Sequence, residues 1–241
     1  MKENVKKEIA NGYNKEAEVY DETRYGSKAS FPLRRVDEIV QNTLLEFLNK
    51  GSVLELGAGT GRYGVFLVKR GYDYKGIEIS KGMINKAKEK EQREKLNLKI
   101  VCGDVEELRF YPPAVDNVIC IRAFSFFPNP EKVLQNVSNV LREKGRFIMF
   151  YYNKNNFFAR IKFLFLKEPP HGQYQTDCTF KEVNRMSNNV GLKVIFRKDI
   201  INFPGFIYRN FPEVILNMRF VRWFDDILKG GWVTGVVLEK R

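Results

Sequence analysis

A glycine-dense turn between an apolar run and a helical pattern is the clearest sign of chemistry in this chain. The run VLEL at 53–56 leads into GAGTG at 57–61, and apolar residues at helical spacing follow. Glycine lets the backbone turn tightly and approach a ligand without a Cβ, and the first turn of a helix offers free N–H groups to an anion. The turn therefore predicts a site for a ligand that carries a phosphate or a carboxylate.

Acidic residues follow the next two predicted strands. Glu78 ends the strand within GIEIS, and Asp104 follows the third strand within CGDV. Ligands of open α/β sheets bind in the crevice at the carboxyl ends of the strands. A carboxylate at that edge can accept hydrogen bonds from both hydroxyls of a ribose, so Glu78 is a candidate for ribose binding.

A dinucleotide site is the first alternative that these residues raise. Gly59, Gly61 and Gly64 fit the pattern GxGxxG, and Glu78 lies near the distance at which an acid binds the ribose of NAD. Two features argue against NAD, because Gly57 follows the strand directly and gives the loop the form GxGxG, while the acidic Glu55 lies just upstream.

Strands and helices alternate around these motifs, as in a parallel sheet covered by helices. The sequence predicts strands at 52–56, 74–79, 98–101, 115–121, 146–152, 192–197 and 232–238, and helices at 4–20, 33–48, 83–94, 130–142, 181–189 and 213–228, with a short helix after the glycine turn. We therefore predict an α/β fold, a three-layer αβα sandwich with a mostly parallel seven-stranded sheet.

Five segments together resemble the class I S-adenosylmethionine-dependent methyltransferases of the type 11 group. They are YNKEAEVYDETRY (13–25), VLELGAGTGRYG (53–64), GIEIS (76–80), CGDVEEL (102–108) and VDNVICIRAFSFFPNPEKVLQNVSNVLREKGRFIMF (115–150). The resemblance spans roughly Tyr13 to Tyr152 and implies a Rossmann-like fold with S-adenosylmethionine as the cofactor. One departure is the apolar pair Ala123-Phe124, where the family often has a histidine or another polar residue.

The resemblance also implies roles for individual residues. Gly57, Gly59 and Gly61 would border the methionine moiety, while Glu78 would hold the ribose and Asp104 the adenine. The backbone of Ile121 or Arg122 would lie near the methionine amine, and Glu55 would act through the loop. The complete set of candidate cofactor residues is Tyr13, Tyr20, Glu55, Gly57, Ala58, Gly59, Gly61, Glu78, Ile79, Met83, Gly103, Asp104, Val105, Ile121 and Arg122. No catalytic residue and no metal site is predicted.

The N-terminal helical pattern places Tyr13, Ala17 and Tyr20 on one side. In similar proteins this helix closes over the cofactor, and packing alone is an equal alternative. We expect one methyltransferase domain over 1–241, with a helical cap at 1–50 and a cofactor-binding core at 51–152. Substrate-side inserts are expected at 153–179 and 199–229.

The insert at 153–179 exceeds the usual connection of about 2 to 6 residues, which makes it a candidate substrate cover. Its stretch 157–167 mixes aromatic and basic residues, which fits an acceptor pocket, a membrane interface, an RNA contact or a packed lid helix. Candidate general bases are Glu168, His171, Asp177 and several tyrosines, although His171 reads better as a surface loop residue.

The sequence leaves the methyl acceptor open. The aromatic insert favours a small-molecule or lipid-like acceptor. The formal charge of +12 and a loose likeness of Thr23-Arg24-Tyr25 to some tRNA methyltransferases keep RNA as an alternative. A binding protein without catalysis is the third. Without a signal peptide or an apolar run of about 18 residues, we expect a cytoplasmic protein without stable membrane insertion. The oligomeric state stays open.

Overall fold

Seven strands form one sheet in this computed structural model, which describes residues 2–107, 115–154, 176, 178–200, 205–227 and 231–241. In chain order the strands are β1 (Ser52–Leu56), β2 (Asp73–Glu78), β3 (Ile100–Cys102), β4 (Val115–Ile121), β5 (Leu141–Tyr152), β6 (Leu192–Ile200) and β7 (Val233–Lys240). Across the sheet the order is β3-β2-β1-β4-β5-β7-β6. Strands β1 to β5 pair in parallel, whereas β7 runs antiparallel to both β5 and β6. The predicted mostly parallel seven-stranded sheet is confirmed.

Helices cover both faces of this sheet and give the predicted three layers. Those in the described residues are α1 (Lys2–Arg24), α2 (Phe31–Phe47), α3 (Arg62–Val68), α4 (Lys81–Glu94), α5 (Pro130–Val140), α6 (Phe180–Asn189), α7 (Gly205–Asn210), α8 (Glu213–Leu216) and α9 (Arg219–Ile227). Helices α5 and α6 share one buried apolar cluster with the strands, and α2 and α3 share a second cluster. The core is therefore divided by the sheet into two apolar layers.

Local sequence signals explain where several helices begin. The side chain of Ser80 accepts a hydrogen bond from the N–H of Met83 at the start of α4, and Asn129 caps α5 in the same way. Thr179 and Glu182 form a reciprocal capping box at α6. Each cap satisfies N–H groups that the first helical turn leaves free, which fixes where these helices begin.

Some predicted boundaries were wrong. The helix predicted at 213–228 is divided into α8 and α9, and Asn217 ends α8 as its C-cap. Asparagine is unfavourable inside a helix, because its side chain forms hydrogen bonds with the nearby backbone in non-helical conformations. Helix α7 lies in a stretch expected to be irregular. Strand β3 begins at Ile100 instead of 98, since Lys99 has a positive φ of 44°. Strand β5 begins at Leu141, inside the predicted helix 130–142, and its register against β4 is irregular there.

Several expectations fall on parts of the chain outside the described residues. They include most of the insert at 153–179, with its stretch 157–167 and the candidate bases Glu168, His171 and Asp177, and parts of 199–229. The division into cap, core and inserts stays a prediction. No helix in the described ranges combines the length and the apolar character that crossing a bilayer requires.

Candidate functional site

A cavity lies at the carboxyl edge of the sheet, between α1 and the ends of β1 to β4. Counted out to its open mouth, the space between the lining residues measures about 730 Å³. Its lining residues are Lys6, Ile9, Tyr13, Tyr20, Gly57, Gly59, Ile77, Glu78, Ile79, Met83, Gly103, Asp104, Val105, Glu106, Ile121, Arg122, Ala123, Phe126, Phe127 and Pro128. The sheet thus gathers polar groups from four successive strand ends around one space.

The glycine turn forms the floor of this cavity. The N–H groups of Gly57 and Ala58 both donate to the carbonyl of Ile77 at 2.9 Å, which ties the turn to β2. Gly57 has a φ of 72°, and a Cβ there would come within 2.4 Å of the Cβ of Ala123. Gly59 has a φ of 54°, and a Cβ there would meet nothing within 4 Å. Gly59 therefore leaves open space beside the cavity where another residue would place a side chain.

Glu78 joins the end of β2 to the glycine turn. Its Oε2 accepts from the N–H of Gly59 at 2.9 Å, and its Oε1 accepts from the N–H of Ser80 at 2.8 Å. Burial raises the pKa of this carboxyl, while the N–H donors act in the opposite direction. Two backbone donors fix the carboxylate at the cavity wall, where its remaining lone pairs can accept from a bound hydroxyl.

Asp104 marks the other end of the cavity, beyond β3. Its Oδ1 accepts from the N–H of Glu106 at 2.8 Å, and its Oδ2 lies 2.5 Å from Nζ of Lys6 on α1. Lys6 also pairs with Oε2 of Glu106 at 2.9 Å. Burial lowers the pKa of Lys6, but the two carboxylates outweigh it and leave that pKa raised. A charged cluster therefore joins α1 to the predicted adenine end.

Two further residues of α1, Asn14 and Asp21, hold this helix against the cavity. Oδ1 of Asn14 accepts from the hydroxyl of Ser80 and from the N–H of Gly82, both at 2.8 Å. Near the end of the helix, Asp21 pairs with Lys90 of α4 at 2.6 Å and accepts from the hydroxyl of Thr60 at 2.5 Å. Helix α1 is thus attached to the glycine turn and to the loop behind Glu78.

Aromatic side chains form the wall beyond the glycine turn. Tyr13 makes edge contacts with Phe126 and Tyr20, with ring centroids 5.6 and 6.2 Å apart. Burial raises the pKa of Tyr13 and of Tyr20, so both phenols stay protonated at neutral pH and can only act as donors or weak acceptors.

Arg122 brings a positive charge to the wall of the cavity. It is only 7% exposed, and its left-handed backbone, with a φ of 61°, follows directly after β4. Its N–H donates to the carbonyl of Phe150 at 2.7 Å, and its guanidinium donates to the hydroxyl of Tyr25 at 2.8 Å. The side chain therefore ends beside the last turn of α1.

The structure brings together twelve of the fifteen candidate cofactor residues at the cavity and places three elsewhere. Glu55 is buried in β1, where it accepts from the hydroxyl of Tyr74 at 2.5 Å. Ala58 lies against Gly76 of β2. Gly61, the N-cap residue of α3, packs near Leu98. These three residues shape the turn from behind instead of lining the cavity.

Sequence reasoning missed several lining residues. They are Lys6, Ile9, Ile77, Glu106, Ala123, Phe126, Phe127 and Pro128. A signal existed for the first two, since positions 6, 9, 13, 17 and 20 share one helical face. The structure also shows where the apolar residues lie that stand in place of the family's histidine or polar residue. Phe124 is buried in the core, whereas Phe126 and Phe127 face the cavity.

A glycine turn after β1 and carboxylates after β2 and β3 define a Rossmann-like protein that binds a nucleoside-containing ligand. Residues 54–149 match a family model described as a methyltransferase domain. Residues 54–149 therefore form a methyltransferase domain, and this match together with the fold supports the class I S-adenosylmethionine-dependent enzymes as the family and S-adenosylmethionine as the cofactor.

Individual relatives are more distant. A ubiquinone biosynthesis O-methyltransferase of Coxiella burnetii is 26% identical over 103 residues, which cover 43% of this chain and 44% of that protein. The chain thus spans less than half the length of that relative. An uncharacterised protein of Methanocaldococcus jannaschii is 28% identical over 167 residues, covering 66% of this chain and 75% of its own. In fold, the chain is similar to magnesium protoporphyrin IX methyltransferase of Synechocystis PCC 6803, solved with bound S-adenosylhomocysteine, with a TM-score of 0.69, 13% identity and coverage of 98% and 100%.

Proposed function

We propose that this protein transfers a methyl group in line from S-adenosylmethionine to a small-molecule or lipid-like acceptor. The observation that carries the proposal is one cavity that is lined both by carboxylates, among them Glu78 and Asp104, and by the aromatic rings of Tyr13, Phe126 and Phe127. The carboxylates suit a nucleoside, and the aromatic rings suit an apolar acceptor. Helix α1 contributes residues to both parts of the lining, so cofactor and acceptor would share one space.

The residues present fit the cofactor. The open position beside Gly59 would accommodate close approach of the ligand to the backbone, Glu78 would accept from the ribose hydroxyls, and Asp104 would accept from the adenine amine. When bound, S-adenosylmethionine supplies a methyl group on a sulfonium, which passes to an acceptor lone pair while the sulfur keeps the bonding electrons. The protein's contribution is then orientation and the exclusion of water.

The aromatic side chains of the lining would contribute most to orienting the acceptor and excluding water. Tyr13, Phe126 and Phe127 would exclude water from the transfer region, and the protonated phenol of Tyr13 could orient an acceptor oxygen or nitrogen by donating to it. The candidate bases Glu168, His171 and Asp177 lie outside the described residues, so the proposal assigns no base.

Two observations favour a small acceptor over RNA. The hydroxyl of Tyr25, from the Thr23-Arg24-Tyr25 stretch that resembles some tRNA enzymes, accepts from Arg122 inside the protein instead of pointing to a partner surface. The name of the Coxiella relative, a ubiquinone biosynthesis O-methyltransferase, also points to a small molecule. The net charge of +12 is the remaining support for RNA. The cytoplasmic location stays a prediction.

Calorimetric titration with S-adenosylhomocysteine, with NADH as the competing ligand, tests the cofactor site. We expect micromolar binding of the first alone. Glu78→Ala should weaken it about 10- to 100-fold, the cost of hydrogen bonds to a charged group. Glu89→Ala, which removes a solvent-facing partner of Lys86 on α4, is the matched control and should bind like the wild type. NADH binding by the wild type would overturn the proposal.

The acceptor is tested with methyl-labelled cofactor. Label should pass into a small-molecule or lipid extract, and it should not pass into tRNA at low salt, where electrostatic RNA binding is strongest. Labelling of tRNA alone would establish the RNA alternative. Tight cofactor binding without label transfer to any of these acceptors would favour a binding protein without catalysis.

A further inference from the structure

The guanidinium of Arg122 is a buried positive charge at the cavity wall. Arginine stays protonated in proteins, and its planar group carries five N–H donors. Among the side chains that the structure describes, the hydroxyl of Tyr25 accepts from one of these donors. No carboxylate of the described part of the chain lies within ion-pair distance of it, although the residue is only 7% exposed.

Three buried carboxylates of the described residues are held by other groups. Asp37 pairs with Arg62 at 2.7 Å and accepts from the hydroxyl of Tyr63. Glu55 accepts from Tyr74, and Glu78 accepts from two backbone N–H groups. A buried charge is expensive unless it is paired and hydrogen-bonded. Among the described residues, the charge of Arg122 therefore has no carboxylate as its counter-ion.

The surroundings of the guanidinium hold it in place. Its central carbon lies 5.4 Å from the ring centroid of Tyr25, whose ring makes edge contacts with Tyr20 at 6.2 Å and Tyr63 at 6.3 Å. Arg62 lies 5.1 Å from the same ring centroid. Aromatic faces stabilise a cation without neutralising it. A fixed guanidinium of this kind is pre-organised for a planar, bidentate anion, and the carboxylate has that geometry.

We infer that Arg122 is a carboxylate receptor at the methyl-transfer end of the cavity. The inference rests on the proposed function, because it assigns part of the same site. The order of the strands places Arg122, after β4, on the opposite side of the glycine turn from Asp104, after β3. The carboxylate at that side comes from the amino-acid part of the cofactor or from the acceptor, and the two sources can be separated experimentally.

The first arm compares two cofactor analogues by calorimetry. S-adenosylhomocysteine has the amino-acid carboxylate, whereas 5′-methylthioadenosine lacks the whole amino-acid part. If the carboxylate is that of the cofactor, Arg122→Met should weaken binding of the first at least about 10-fold and leave binding of the second within about twofold, as loss of a charge-assisted pair implies. Arg122→Lys, which keeps the charge but not the fork, should fall between.

The second arm uses benzoate as a carboxylate probe on protein saturated with S-adenosylhomocysteine. If the carboxylate is that of the acceptor, benzoate should bind the loaded wild type, and Arg122→Met should abolish that binding while keeping its cofactor affinity. Arg24→Met is the matched control, because Arg24 lies over the ring of Tyr20 at 5.6 Å but does not line the cavity. Circular dichroism confirms that each variant is folded.

Each outcome decides the inference. Loss of discrimination between the two analogues, or loss of benzoate binding, supports it and names the source of the carboxylate. A folded Arg122→Met variant that matches the wild type in both arms overturns it and leaves the cofactor site intact. Failure of the wild type to bind either analogue would instead overturn the proposed function.

Discussion

The ammonium of Lys6 lies 2.5 Å from a carboxylate oxygen of Asp104, although 98 residues separate them in the chain. The same ammonium reaches Glu106 at 2.9 Å, and the three side chains are between 4% and 22% exposed. One cation thus separates two carboxylates at the end of the cavity that would receive the adenine. The first turns of α1 are thereby part of the site.

Lys6→Met should destabilise the protein by about 2 kcal/mol, because it leaves two partly buried carboxylates facing each other without their cation. Urea unfolding at neutral pH measures this change. Lys7→Met is the matched control, since Lys7 is exposed and its ion-pair partner among the described residues is Glu3 in the first turns of α1. Equal stability of the two variants would mean that Lys6 contributes no more than a surface ion pair.

Gly59→Ala should impair binding more than folding. Gly59 and Gly71 both have positive φ, 54° and 82°, and a Cβ at either would meet no atom within 4 Å. Each alanine variant should therefore lose about 1 to 2 kcal/mol of unfolding free energy, the cost of a left-handed backbone. Only Gly59→Ala should also lose affinity for S-adenosylhomocysteine. Calorimetry on both variants checks this, and equal affinities would remove Gly59 from the ligand contact.

Gly57→Ala should be the most destabilised variant of this group. Its Cβ would lie 2.4 Å from that of Ala123, so a steric clash adds to the backbone strain. We expect a loss at least about 1 kcal/mol larger than for Gly71→Ala, measured by thermal or urea unfolding. A Gly57→Ala variant as stable as Gly71→Ala would mean that the loop carrying Ala123 shifts freely.

Asn14 links α1 to the loop behind Glu78, so its variants test whether α1 retains the cofactor. Asn14→Ala removes an acceptor of two hydrogen bonds and should speed dissociation of S-adenosylhomocysteine about 10-fold. Asn14→Asp keeps an acceptor oxygen beside the first turn of α4, where negative charge is favourable, and should dissociate within about threefold of the wild type. Stopped-flow fluorescence gives both rates. Identical rates for the two variants would contradict the role of the acceptor.

Glu55 should make stability depend on pH. Burial raises the pKa of Glu55 to about 8. The negative charge of Glu78 also raises this pKa, whereas the hydrogen bond from Tyr74 lowers it. In the unfolded chain this carboxyl has its ordinary pKa of 4.5, so between that pH and about 8 the folded state holds a proton that the unfolded chain has released. This contribution to stability is complete below pH 4.5 and is lost as the pH rises through about 8.

The isosteric variant Glu55→Gln isolates this effect. Urea unfolding between pH 5 and pH 9 should show wild-type stability falling by up to about 1.4 kcal/mol per pH unit from this group. Glu55→Gln should flatten the profile, and a smaller slope of the same sign should remain, because burial also raises the pKa of Glu78. Parallel profiles for the two proteins would show that Glu55 is ionised in the folded state.

The parts of the site that follow strands could be predicted from sequence. Glu78 and Asp104 are each fixed by a local motif, and parallel strands bring their carboxyl ends to one edge without further information. The strand order and the antiparallel β7 complete a sheet that alternation alone had indicated only in outline. The prediction of one helix at 213–228 was wrong at Asn217, where the helix ends although the apolar pattern continues.

The contacts across the cavity could not be predicted with the same ease. Lys6 is one of 41 lysines and arginines, and its helical face alone does not predict its pairing with carboxylates 98 and 100 residues away. The same holds for Arg122 and Tyr25, which lie 97 residues apart. Helical periodicity indicated which face of α1 turns inward, but charge pairing over such separations depends on the tertiary structure.

The position of β7 has a consequence for synthesis of the chain. Strand β6 has its sheet partner only in β7, which in turn lies between β5 and β6. During translation, the five parallel strands can associate as they emerge from the ribosome, whereas β6 has no neighbour until residues 233–240 have been made. The nascent protein would then carry an unpaired strand edge on β5 for about 80 residues of elongation, a time of several seconds at about 5 to 20 residues per second. A premature stop before residue 233 would leave one edge of β5 exposed and β6 without its strand partner, and both would be open to aggregation.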